Sequence, residues 1–287
     1  MKKSFVSSQN VATTDNYSVK RRALFCCLIG TALLFLCGQS LRAAIFPIAD
    51  GDVTGLKNAI TTSNSNAQDD TIELAASGTY TLTVRDNALN GLPRILPDGG
   101  HTLTIHGNGA TIQRSSVGGT LTFRIFYINS GANVTLSGLT ITNGNLVAHG
   151  GAIYNDGESA SVILTITNCT ITGNTGDYGG AIYNDGETIS ATLIITNSTF
   201  SGNTGTQYCG GIFNDGAFGS ATLTVANSTF SQNSASLDTG AIQHDAFTGS
   251  ATGSITNSTF SQNSSGRNGG AVYIDGQDGN AMLSIRS

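Results

Sequence analysis

The feature that most constrains this chain is a repeat. Ile153, Ile182, Ile212, Ile242 and Val272 fall 29, 30, 30 and 30 residues apart, in the fullest copies between Gly-Gly-Ala and aromatic-Asn-Asp-Gly. Asn168, Asn197, Asn227 and Asn257 keep the same intervals, and Asn174, Asn203, Asn233 and Asn263 follow each of these by six residues. Self-similarity at such a period means a solenoid, a propeller or an array. Propeller blades need about 40 to 50 residues for their four strands. Helical repeats need amphipathic helices, which 37 glycines in 287 residues argue against. The expected fold is all-β, a right-handed parallel β-helix: a single-stranded solenoid of roughly seven coils with a short N-terminal capping helix.

In such a fold each strand pairs with its own equivalent one coil on, about 4.8 Å away, so like stacks on like. Three strands per coil are expected, typified by LIITN, STF and GAIYN within the copy at 179–203. Alternation turns Leu193, Ile195, Phe200, Ile182 and Asn184 inward and Tyr183 outward. Inward asparagines can pass amide hydrogen bonds from coil to coil, and glycines are expected to supply positive φ at the corners. The recurrent Asn-Ser-Thr is a formal glycosylation sequon, but its return at one turn of every coil favours a structural role.

Ahead of the repeats, Lys20-Arg21-Arg22, the apolar run Ala23 to Cys37 and GQSLRAA read as a signal peptide over residues 1–43. The run is shorter than the roughly 20 residues that span a bilayer, so export with cleavage is expected rather than anchoring. Residues 44–130 are read as an N-terminal cap and first coils. Val53, Leu56 and Ile60 lie at helical spacing behind a plausible N-cap, Asp52. From Thr71 the period changes to two, with short strands around Ile72, Tyr80, Leu103 and Ile112. Residues 131–287 hold the repeats, the last expected to break off mid-coil.

At its repeats the sequence resembles the bacterial surface β-helix proteins with polymorphic outer membrane protein repeats, marked by paired GGA(I/L/V) and FxxN motifs. GGAI stands at 150–153 and 179–182 and GGAV at 269–272, while FxxN stands at 200–203, 230–233 and 260–263. Cys209-Gly210-Gly211-Ile212 and Thr239-Gly240-Ala241-Ile242 depart from it, and Ile171 replaces the first Phe. The resemblance implies an exported protein, extracellular or on the outer membrane of a Gram-negative-type bacterium. It also implies an autotransporter-like passenger with an adhesive or structural role, and no cofactor.

Residues 1–43 carry six of the 13 Lys/Arg and one of the 18 Asp/Glu, leaving the remainder near −10 and nucleic acid an unlikely partner. A protein or glycan at the cell surface is the expected partner. No catalytic residue stands out. A polysaccharide lyase or glycoside hydrolase on the same fold is the alternative, but such sites need converging carboxylates, whereas here acids recur one per coil. That column, Asp156, Asp185, Asp215, Asp245 and Asp275, would repel by about 1 kcal/mol per neighbour in water, which bound Ca²⁺ would relieve. The outward aromatics Tyr154, Tyr183, Phe213 and Tyr273, interrupted by Gln243, form a second candidate face, able to stack sugars or to shield the sheet. His101, His106, His149 and His244 are scattered in register, and Cys169 and Cys209 are read as separate thiols.

Overall fold

A computed structural model describes residues 43–287, so the expected signal peptide lies outside the described residues apart from Ala43. The chain winds into a parallel β-solenoid of about eight turns, one more than expected. Its longest sheet has nine strands, from Ala44–Ile48 through Ser190–Thr196 to Asn280–Arg286. A seven-stranded sheet of three- and four-residue strands includes Thr199–Ser201, and a six-stranded sheet includes Ile182–Asp185. Each coil in the repeat region adds a fourth strand that the three-strand expectation lacks, such as Thr204–Gly205, in a five-stranded sheet. It shortens along the stack, from Asn145–His149 and Thr175–Tyr178 to two residues in the later coils, and carries no apolar alternation that would mark it as extended.

The registers reproduce the repeat columns. Ile153, Ile182, Ile212, Ile242 and Val272 stack in line, as do the five aspartates. Leu193, Ile195, Phe200, Ile182 and Asn184 are fully buried in the bore. The phenylalanines stack nearly parallel, Phe200 on Phe230 at 4.8 Å and Phe230 on Phe260 at 5.0 Å between centroids. At the N-terminal end Asp52 caps the helix Val53–Ser63 by accepting from Gly55 N at 2.7 Å, and Leu56 and Ile60 join the solenoid core.

Two asparagine ladders run through the bore. In one, Asn174 Nδ2 donates to Asn203 Oδ1 at 3.0 Å and Asn203 Nδ2 to Asn233 Oδ1 at 2.9 Å, continuing to Asn263. In the other, Asn155 donates to Asn184, Asn184 to Asn214, and Asn214 meets His244 Nδ1 at 3.1 Å.

Glycine supplies positive φ at some corners as expected, at Gly150, Gly173, Gly179 and Gly202, but not at all of them. Another corner takes it on asparagine, at Asn168, Asn197, Asn227 and Asn257, which explains why that asparagine column recurs. The second glycine of the GGA motif serves another purpose, close approach: a Cβ on Gly180 would stand 2.5 Å from Gly210 O on the next coil. The first, Gly179, has φ +65°, and its equivalent Cys209 follows a corner one residue longer, 204–211 against 175–181. That inserted residue is what lengthens the interval from 29 to 30.

Candidate binding cleft on the aromatic face

The sheet holding Ile182–Asp185 presents three side chains in turn: Ile182 into the bore, Tyr183 outward, Asn184 into the bore. Tyr183 is nevertheless only 2% exposed, Phe213 3% and Tyr154 8%. These three rings are therefore covered, which fits the shielding role and not an open face for stacking sugars. The neighbouring corners fold rings over them: His149 stacks on Tyr183 at 4.5 Å, and Tyr178 stands edge-on to Phe213 at 5.5 Å and stacks on Tyr208 at 4.5 Å. Tyr273 stays partly open. At the other end of the column Arg94 lies 4.4 Å over Tyr127 and Arg124 4.8 Å over Tyr154.

The rings also serve the aspartate column. Tyr127 OH donates to Asp156 Oδ2 at 2.6 Å, Tyr154 OH to Asp185 Oδ2, and Tyr183 OH to Asp215 Oδ2 at 2.6 Å. Each of these aspartates turns its other oxygen to a backbone N–H two residues on, from Glu158, Glu187 and Ala217. Tyrosine on one coil thus caps aspartate on the next. Around Asp185 a further acidic group gathers, with oxygens of Glu158, Asp185 and Glu187 within 4.8 Å of one another, the kind of donor set a divalent cation takes. The Asp-Gly-Glu triplets at 156–158 and 185–187 were its legible signal.

Burial pushes the Asp185 and Asp215 carboxyls up to about 6, against the lowering effect of the tyrosine hydroxyls. A carboxyl raised above its unfolded value favours the native state when protonated, so this contribution is present below about pH 6 and is lost as pH rises through it. Two units correspond to about 3 kcal/mol per group at most. His244, held down by burial, opposes the trend below its ordinary range. Lowering the pH from 7.5 to 5 should therefore raise the urea midpoint of the protein, with less gain in Asp185→Asn/Asp215→Asn; an equal gain would contradict the assignment.

The capping pattern breaks in one place. Phe213 stands where a tyrosine would cap Asp245, and Gln243 where one would cap Asp275. In the covering corner, the position of Tyr178 and Tyr208 is taken on the next coil by Asp238, which accepts from Arg267 at 2.7 Å and Asn268 at 2.8 Å. Two rings are missing from one coil, and a cleft of about 280 Å³ opens there. Its walls are Tyr178, Tyr208, Phe213 and Phe247, with Asp215, Asp238, Asp245 and Asp275 at its polar side. Burial and the like charge of Asp275 push Asp245 up to about 6. The sequence reading registered Gln243 as a gap in the aromatic column, but Asp238 and Phe247 were not visible in it, because they come from corners without a strong repeat signature.

Residues 168–185 and 257–275 each run from a corner asparagine to an aspartate of the column, and both match a family model. They are similar to the Chlamydia polymorphic membrane protein (Chlamydia_PMP) repeat. No curated protein and no solved structure matches the chain. Each matched polymorphic membrane protein repeat contains the ladder asparagine, the GGA corner and the strand that ends in a column aspartate, which are the parts that build the coil. Asp238, Gln243, Asp245 and Phe247 fall between the two matched segments, so the cleft is a local departure on that scaffold.

Proposed function

We propose that this is an exported, surface-associated β-helix protein of adhesin type, a scaffold whose cleft beside Gln243 is its contact site for a cell-surface protein or glycan. The observation that carries the reading is the coincidence of two missing rings and two missing tyrosine caps on two adjacent coils of an otherwise regular stack. A regular solenoid has no structural need for that gap. The similarity to polymorphic membrane protein repeats supports the surface association. Flow cytometry of cells incubated with the fluorescently labelled chain is expected to show saturable binding, reduced when Gln243→Tyr fills the notch. Cleavage of polygalacturonate or a related glycan, abolished by Asp245→Asn, would overturn this reading in favour of a carbohydrate-active enzyme.

A further inference from the structure

The polar side of the cleft is weighted toward acceptors, four carboxylates and the Gln243 amide oxygen. Asp245 and Asp275, adjacent in the column, lack the tyrosine of the preceding coil that caps Asp156, Asp185 and Asp215. Asp275 meets the Tyr273 hydroxyl of its own coil and the Gln277 backbone N–H, each at a long 3.2 Å. Gln243 lines the same cleft at 3% exposure, and its Oε1 has no hydrogen-bond partner among the described residues. A buried acceptor without a donor is destabilising, so the site is built to receive one. Asp238 is the exception on the polar side, being engaged by Arg267 and Asn268.

A ligand that satisfies this set brings donors and positive charge. The four aromatic walls offer ring faces that attract a cation, which gives an organic cation an advantage over a bare metal ion. A sugar's hydroxyls donate to carboxylates too, but they bring no positive charge to offset the acids of the cleft. The free acceptors are spread over two adjacent strands, Ile242–Asp245 and Val272–Asp275, and are not paired on one carboxylate. That spacing suits a compact ammonium with three donors better than the planar fork of arginine.

We infer that the cleft binds an alkylammonium group, the ligand it fits being a lysine side chain of a partner polypeptide. The choice of a polypeptide rests on the surface-binding reading above; the ammonium chemistry rests on the cleft alone.

Calorimetric titration of the full chain with trilysine is expected to give saturable binding that the Nε-acetylated peptide does not give. Asp245→Asn/Asp275→Asn should weaken it at least about tenfold, and Tyr208→Ala about fivefold. Asp69→Asn/Asp98→Asn removes the same charge elsewhere and should change it less than about twofold. Melting curves by circular dichroism check that each variant is folded. Equal weakening by the distant pair, or equal binding of the acetylated peptide, overturns the inference. So does a Ca²⁺ heat lost in Asp245→Asn/Asp275→Asn with none from trilysine. If that double variant still binds cells like the unaltered chain, the ammonium site fails while the surface-binding reading stands. Trilysine binding without cell binding gives the reverse.

Discussion

Alanine at Gly180 is expected to split the solenoid, with the coils on either side of it melting apart. The added Cβ would lie 2.5 Å from Gly210 O and 2.6 Å from Thr204 C, and both neighbours are backbone of the adjoining coil. Neither can move without lengthening the hydrogen bonds that join the coils, among them Gly180 N to Cys209 O at 2.8 Å and Thr204 N to Asn174 O at 2.8 Å. Forced overpacking of this kind costs about 3 kcal/mol or more. In a stack whose stability is a sum of nearest-neighbour interfaces, one weakened interface separates two cooperative units. Gly202→Ala is the comparison: Gly202 has φ +60° but open space around it, so it should cost about 1 kcal/mol of backbone strain. Urea denaturation followed by circular dichroism should give a lower midpoint and a second transition for Gly180→Ala alone. Equal behaviour of the two would show that the GGA glycine is kept for its backbone angle and not for close approach.

The same distinction explains how much of the molecule was legible beforehand. Whatever repeats was readable, because a stacked coil places identical residues in contact: the Ile column, the Phe stack and the asparagine ladders all appear in register where the intervals put them. The helix was readable from Asp52, Leu56 and Ile60 for a different reason, its own local spacing and cap. What could not be read depended on corners. Tyr183 does point away from the bore, but its burial is decided by His149 and Tyr178, whose corners vary in length and carry no strand pattern. His149 and His244 looked scattered because one covers the aromatic column and the other ends an asparagine ladder, roles that share no position in the repeat.

The cleft follows the same logic in reverse. A repeat protein advertises its architecture through regularity, so a site on it is expected where regularity fails on several columns at once. Gln243 alone is a weak signal, since one substitution in an aromatic column is tolerated. Phe213 on one coil and Gln243 and Asp238 on the next together open a void and strip the caps from two carboxylates. Only the three-dimensional register brings those three positions side by side, because Asp238 lies in the corner ahead of Ile242–Asp245, outside the sheet that holds Phe213 and Gln243.

Asn203→Leu is expected to be the most damaging polar substitution in the bore. Its side chain is fully buried and makes four hydrogen bonds. Oδ1 accepts from Asn174 N at 3.1 Å and Asn174 Nδ2 at 3.0 Å, while Nδ2 donates to Ile171 O at 2.9 Å and Asn233 Oδ1 at 2.9 Å. Asn174 Nδ2 keeps other acceptors, Asn233 Oδ1 keeps the Asn203 backbone N–H and Ile171 C=O keeps its place in the parallel ladder, so one group loses its partner outright: Asn174 N–H. At about 1–3 kcal/mol for an orphaned buried group, that loss outweighs leucine's greater hydrophobicity. Asn227→Gly supplies the contrast. Asn227 is an exposed corner with φ +52°, which glycine adopts freely, so the cost should stay within about 0.5 kcal/mol. Asn203→Asp separates hydrogen bonding from shape, because it keeps the size but replaces the amide donor with a carboxylate. Its burial should raise the aspartate's pKa, so the variant should regain stability as pH falls and the carboxyl gains a proton to donate. Denaturation midpoints of the three variants at pH 7.5 and pH 5 test the point. If Asn203→Leu proves no weaker than Asn227→Gly, the ladder is a consequence of stacking and contributes nothing to holding the coils together.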